Sequence, residues 1–287
     1  MSKYKNRGVL IGKRETDFMA GALGALTYEE RNPSGDWTKW LPTGEKQRVT
    51  SVQGGQLETM SCVSFSALNS IEVQLKFLTG KEFNFSDRFT ATMSGTTPQG
   101  NYFWKVADSI RKDGVVSQTE YPADGAYTWE TYYSAVPIDI INNAKIFLNY
   151  YEISYEFIPA TKEEMLKHIK HAPLQIAVLN STHAVLNFLT VGDIHKYFDS
   201  YEPYIKETTS LTSPFKIVLK LKNKVMTEEQ AKKLCWAVFH READAGFLSH
   251  YTGKELSQAL IDITASEEWN IYGDLFRAGK KIEEWAN

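Results

Sequence analysis

Residues 61–80 read SCVSFSALNSIEVQLKFLTG and carry Val63, Ala67, Leu68, Ile71, Leu75 and Leu78 at steps of three and four. That spacing lays one apolar stripe along a helix of period 3.6, and Gly80 supplies the residue type that most readily stops one. The segment reads as a core helix beginning at Cys62. A thiol at a helix N-terminus sits where partial positive charge favours a thiolate, the nucleophilic form of cysteine. On residue type alone Cys62 reads more readily as an inert buried thiol, because free cysteine is among the most buried side chains.

Outward from this helix, Tyr102 to Lys112 reads as a second helix ended by Gly114. Thr161 to His171 reads as a third, with Thr161 as cap and Glu163 and Glu164 in the first turn. After Pro173 the signal changes. Leu174, Ile176 and Val178, then Ala184 to Leu189, form short apolar runs suited to buried strands, and Asp193 to Tyr204 and Phe215 to Leu221 add further candidates. Helices followed by strands make an α+β domain. Residues 1–50 hold the turn-rich Asn32-Pro33-Ser34-Gly35-Asp36 flanked by Tyr28, Trp37 and Trp40, and read as an extended arm packed by its aromatics. From Thr227-Glu228-Glu229 the pattern is nearly continuous helix to Asn287, broken at Gly246, Gly253 and Gly273. The division is drawn at residue 222, giving an α+β domain over residues 1–222 and a small all-α domain over 223–287.

Composition removes several function classes. Lysine and arginine (32) nearly balance aspartate and glutamate (35), so the chain lacks the cationic excess of a nucleic-acid binder. Cys62 and Cys235 are too few for a disulfide scaffold or a cysteine-rich zinc site. Cys235, beside Val238 and Phe239, reads as a small core residue, and a bond between the two cysteines is not expected. With no HExxH, no His/Cys cluster and no phosphate-binding loop, neither a metal nor a cofactor is expected. Phe18 to Leu26 is about half the ~20 residues that a membrane span needs. Lys3, Lys5 and Arg7 are not followed by the apolar core of a signal peptide, so a cytoplasmic location is expected.

The run Gln53-Gly54-Gly55-Gln56-Leu57 through Ser61-Cys62-Val63-Ser64-Phe65-Ser66-Ala67 resembles the active-site segment of papain-like cysteine peptidases. There a Gln-Gly element precedes Ser-Cys, an aromatic or small residue, and Phe-Ser. Other elements follow in that family's order: Phe85-Ser86-Asp87-Arg88-Phe89 after the cysteine helix, Gly100-Asn101 before the next helix, and Gly114-Val115-Val116 with Tyr121-Pro122. Pro173-Leu174-Gln175-Ile176-Ala177-Val178 is similar to the strand before the family's histidine, and His183-Ala184-Val185-Leu186 to the histidine strand. His183 follows Cys62 by roughly 120 residues, near the ~130 to 150 of papain-type enzymes. Phe198-Asp199-Ser200-Tyr201 occupies the place of the family's Asn-Ser-Trp, with aspartate for asparagine.

The resemblance implies a papain-like fold, with a helical half carrying the cysteine and a β-rich half carrying the histidine. It also implies a cysteine-type peptidase, endo- or exo-acting on peptide or protein substrates, in a bacterial or phage variant. Cys62 is then the nucleophile, His183 the base and Asp199 the group that orients the imidazole, as aspartate does in serine triads. Gln56, six residues before Cys62, is the preferred oxyanion-hole donor, with Gln53 as its rival. Met60 stands where the family has glycine just before Ser-Cys. His195 is a minor competitor to His183; His168 and His171 read as helix-end residues, and His240 and His250 as structural. Tyr127, Trp129, Tyr132 and Tyr133 read as core packing, with substrate lining as a lesser role. Residues 223–287 resemble a small helical module of bacterial surface and extracellular proteins, for which a binding or assembly partner is the expectation. The altered cysteine loop and Asp199 keep a second reading open, an inactive papain-fold protein of virion or cell-surface assembly. An acyltransferase or transglutaminase of the same geometry is a third.

Overall fold

In a computed structural model the described residues are 8–13, 19, 28–42, 59–123, 128–210, 212–222, 228, 231–232, 235, 243 and 245–252. The expectations for Gln53, Gln56 and Tyr127, for the apolar run after Met19 and for residues 253–287 fall outside them.

The helix α1 (Cys62–Thr79) starts at the cysteine and stops at Gly80, whose φ of 72° and N–H bond to the Lys76 carbonyl at 2.9 Å close the last turn. Every residue from Cys62 to Leu75 is buried. A helix buried all round must have its polar side chains partnered. The Gln74 amide nitrogen donates to the Ile217 carbonyl at 3.0 Å, while its oxygen accepts from the Leu219 N–H at 3.0 Å. Gln175 donates to the Val63 carbonyl and to Ser66 Oγ, and Glu72 accepts the Phe85 N–H at 2.7 Å. These bonds tie α1 to two neighbouring strands and to the segment before the next helix.

Around α1 stand two helices and a two-stranded ribbon. Ser86 caps α2 (Asp87–Met93) by accepting the Phe89 N–H at 3.1 Å. The helix α3 (Phe103–Asp113) ends at Gly114. Strands β1 (Val9–Leu10) and β2 (Asn101–Tyr102) pair in parallel. The short α4 (Trp129–Tyr132) and the longer α5 (Ile138–Tyr150) follow. The second half is a six-stranded sheet in the order β3 (Tyr151–Phe157), β8 (Phe215–Leu221), β4 (Leu174–Val178), β5 (His183–Val191), β6 (Ile194–Phe198) and β7 (Ile205–Thr208). Its inward side chains, among them Ile176, Val178, Val185 and Phe188, share a core with Val73 of α1 and with Trp37 and Leu41 of the N-terminal arm. Trp37 is fully buried and donates its indole N–H to the Ile169 carbonyl at 2.7 Å.

The helix α6 (Lys162–His168) is capped by Thr161 but ends three residues short of His171. The expected strand Asp193 to Tyr204 stops at Phe198 as β6; residues 199–204 form a bend in which the Asp199 N–H bonds the Tyr204 carbonyl at 2.7 Å, and β7 begins only at Ile205. Packing divides the chain into two units, residues 1–148 with 153–219 and residues 149–152 with 220–287. In the second, α7 (Ala245–Tyr251) contains Gly246, which the sequence pattern had as a break. Among the described residues no helix is long and apolar enough to cross a membrane.

Candidate active site

Cys62 is the first residue of α1 and is buried. The two residues before it are set by backbone fit. Met60 has φ 55°, the left-handed conformation that costs a non-glycine residue about 1–2 kcal/mol. The chain thus keeps a glycine-like bend where the sequence has methionine. Gly8 lies against this bend so closely that a Cβ there would stand 2.1 Å from the Met60 carbonyl oxygen. Gly100 packs on Gly8 in turn, its own Cβ position 2.1 Å from the Gly8 oxygen. Neutral hydroxyls complete the support. Thr59 and Ser61 share a 2.5 Å hydrogen bond, and the Tyr133 hydroxyl donates to the Thr59 carbonyl at 2.5 Å. Burial first, and then the neighbouring Tyr132, push the Tyr133 phenol well above its ordinary value, so it remains a donor. Arg88 secures the segment carrying both tyrosines by bonding the Tyr132 carbonyl at 2.9 Å and the Thr131 carbonyl at 2.5 Å.

His183 opens β5 and is fully buried, opposite Val178 in the β4–β5 ladder. The turn between those strands, Leu179-Asn180-Ser181, runs through three successive left-handed residues with φ 52°, 56° and 63°. The next residue along, Ala184, donates its backbone N–H to Cys62 Sγ at 3.3 Å, which brings the histidine strand onto the sulfur. His183 Nε2 lies 2.7 Å from Asp199 Oδ1. Burial alone would raise the Asp199 carboxyl; the His183 hydrogen bond and charge, followed by those of Lys206, outweigh it and hold the group below the usual carboxylate range. An ionised carboxylate only accepts, so Nε2 carries the proton. His183 Nδ1 is buried and makes no hydrogen bond among the described residues. Asp199 also accepts the Tyr201 N–H at 3.2 Å, and Lys206 Nζ donates to its other oxygen at 2.7 Å. His183 and Asp199 thus meet at the strand end whose next amide touches Cys62 Sγ, while Gln56 and Gln53 lie outside the described residues.

No protein-family model matches the chain, and no curated protein matches it in sequence. Solved structures do match. Xylellain, a cysteine protease from Xylella fastidiosa, superposes with a TM-score of 0.51 at 14% identity, over 77% of this chain and 98% of its own. The fold is papain-like. The digestive procathepsin L 3 of Tenebrio molitor aligns over 75% of this chain and 77% of its own, at 15% identity and a TM-score of 0.45. The proform of the ragweed pollen cysteine protease Amb a 11 aligns at 17% identity and a TM-score of 0.43, over 61% of this chain and 64% of the proform.

In this papain-like arrangement His195 and His168 have other partners. His195 pairs with Thr190 at the far end of β5, roughly 23 Å along the strand from His183 at 3.3 Å per residue, and bonds Thr190 Oγ1 at 2.9 Å. His168 belongs to a buried charged cluster. Its Nδ1 accepts from Lys216 Nζ at 2.8 Å, its Nε2 faces Glu164 at 3.1 Å, and Lys216 pairs with Glu156 at 2.6 Å. Burial first, and then the Lys216 charge, push His168 down to about 3. Among the described residues no group of three or more His, Cys, Asp or Glu side chains is placed to hold a metal. Tyr132 is buried as expected for packing, whereas Tyr133 is half-buried and bonded to the cysteine loop. Sequence reasoning passed over Lys206. Its signal lies in register: Lys206 pairs with Tyr197 across β6 and β7, two residues before Asp199, which makes it a diagonal neighbour.

Proposed function

We propose that this chain is a papain-type cysteine peptidase, with Cys62 as nucleophile, His183 as general base and then general acid, and Asp199 as the orienting carboxylate. The observation that carries this reading is the buried His183: Nε2 is fixed on Asp199 at 2.7 Å, and Nδ1 is left without a hydrogen bond on the strand end whose next amide touches Cys62 Sγ. Nδ1 is therefore the nitrogen for the thiol proton. The helix N-terminus and the Ala184 N–H both favour negative charge on sulfur. The thiolate attacks a peptide carbonyl, and the imidazolium returns the proton to the departing amine. Water activated by the same imidazole then releases the acyl group. The Cys62 backbone N–H at the start of α1 offers one oxyanion donor, and Gln56, or Gln53 in its place, is proposed as the second.

The test is covalent labelling of the full chain by an epoxide electrophile that reacts with activated thiols, followed by peptide mapping. Labelling is expected at Cys62, abolished by Cys62→Ala and slowed about 100-fold or more by His183→Ala. Cys62 labelling as slow as that of buried Cys235, and indifferent to His183, overturns the peptidase reading and favours an inactive papain-fold protein.

A further inference from the structure

We infer that Lys206 is a positioning residue that cancels the charge of Asp199, so that His183 meets the hydrogen-bond acceptor of a carboxylate at the net charge of an amide. The inference rests on the reading of His183 as the base and adds to it a residue from another strand. Lys206 Nζ stands 2.7 Å from Asp199 Oδ2, while Asp199 Oδ1 stands 2.7 Å from His183 Nε2, so the carboxylate is gripped at both oxygens by opposite faces of the site. Asp199 is 3% exposed in its side chain and Lys206 23%, so the pair is shielded enough for the charge to reach the imidazole and open enough for the ammonium to be tolerated. Lys206 also donates to the Tyr201 carbonyl at 2.9 Å, and the Tyr201 ring packs edge-on to His183 at 5.4 Å between centroids. One ammonium thus fixes both the carboxylate and the ring that bound the imidazole.

The remaining titratable groups facing this set, among the described residues, are Cys62 from α1, Tyr201 from the bend after β6, and Tyr133, within electrostatic range of Cys62, from the turn after α4. Only Asp199 and Lys206 carry opposite permanent charges there. A lone buried carboxylate against His183 would favour the imidazolium over the neutral imidazole that takes the thiol proton. A lone ammonium would discourage the imidazolium from forming. Together they present the imidazole with an acceptor whose charge is balanced within the site.

The test reads the His183 imidazole directly, by NMR titration of the histidine-labelled full chain, in wild type, Lys206→Met, Asp199→Asn and the double variant. Lys206→Met is expected to raise the His183 midpoint by about one pH unit, roughly tenfold in proton affinity, and Asp199→Asn to lower it by a similar amount. The charge-neutral double variant is expected to return to within about 0.3 unit of wild type, and Lys206→Arg to stay there. If Lys206→Met fails to fold, Lys206→Gln keeps a donor for the Tyr201 carbonyl without the charge and is expected to give the same upward shift. A midpoint indifferent to Lys206, or a double variant displaced farther than either single one, overturns the inference. Iodoacetamide alkylation of Cys62 in parallel separates the two claims. Alkylation independent of His183 with a titration that follows Lys206 removes the peptidase reading alone. The opposite pair of results removes the role of Lys206 alone.

Discussion

The two sides of the candidate site are built by different physics. The cysteine loop is placed by shape: a left-handed Met60, two glycines in backbone contact, and hydroxyl hydrogen bonds from Tyr133 and between Thr59 and Ser61. The histidine side is placed by charge, through Asp199 and Lys206, and the same half of the fold buries a second charged set, Glu156, Lys216 and His168. Shape is insensitive to pH and intolerant of added atoms; charge is the reverse. The cysteine side should therefore fail on steric insult, and the histidine side on acidification.

The largest expected effect is Gly8→Ala. The new methyl would fall 2.1 Å from the Met60 oxygen, on a residue whose φ of 105° already disfavours a side chain. A loss of about 3 kcal/mol in urea unfolding is expected, at the upper end of overpacking costs, together with slowed electrophile labelling of Cys62 and an unchanged His183 titration. An equal disturbance of His183 would break the distinction between the two sides.

Acid is next in size. The folded chain holds His168 near 3, whereas the unfolded chain binds that proton at about 6.5. Stability is thus complete above about 6.5 and falls as pH drops toward 3. At about 1.4 kcal/mol per unit, roughly 2–3 kcal/mol is lost between pH 6.5 and 4.5. Urea midpoints at the two pH values measure the loss, and His168→Gln should flatten the dependence. Hydrogen exchange at the lower pH should open β3 and β8 before α1.

Smallest is Tyr133→Phe, which removes the donor to the Thr59 carbonyl while keeping the ring. About 1 kcal/mol should be lost, equally at both pH values. A loss that grows with acid would place a charge in the cysteine loop after all.

The same contrast decides what could be read from the amino acids. The helix from Cys62 to its stop at Gly80 was legible because periodicity and a terminating glycine are local signals. His183 and Asp199 were singled out through resemblance of short runs, and their side chains lie 2.7 Å apart. The break at Asp199–Tyr204 was not, since the residues on either side keep strand-like character and only the bond from Asp199 to Tyr204 reveals the bend. The left-handed backbone of Met60 was hinted at only by the glycine that the resembling family has there, because the constraint itself comes from Gly8, some fifty residues away. Lys206 was hidden for a similar reason. In the sequence it is one surface lysine among many, and its partner follows from the pairing of β6 with β7. The helix α5, with exposed Ile138 at its start, offered no clean apolar face.

The contact of Gly8 with Met60 and Gly100 also orders events during synthesis. Three segments separated by about 50 and 40 residues must meet before the bend ahead of Cys62 is braced, and each closure costs chain entropy that local structure cannot repay. A nascent chain that has not yet released Asn101 lacks the partner that receives Gly8. It then holds a cysteine at the tip of a helix with nothing to fix its direction. The thiol is brought under geometric control only when β2 emerges, well before the strand bearing His183 has been made.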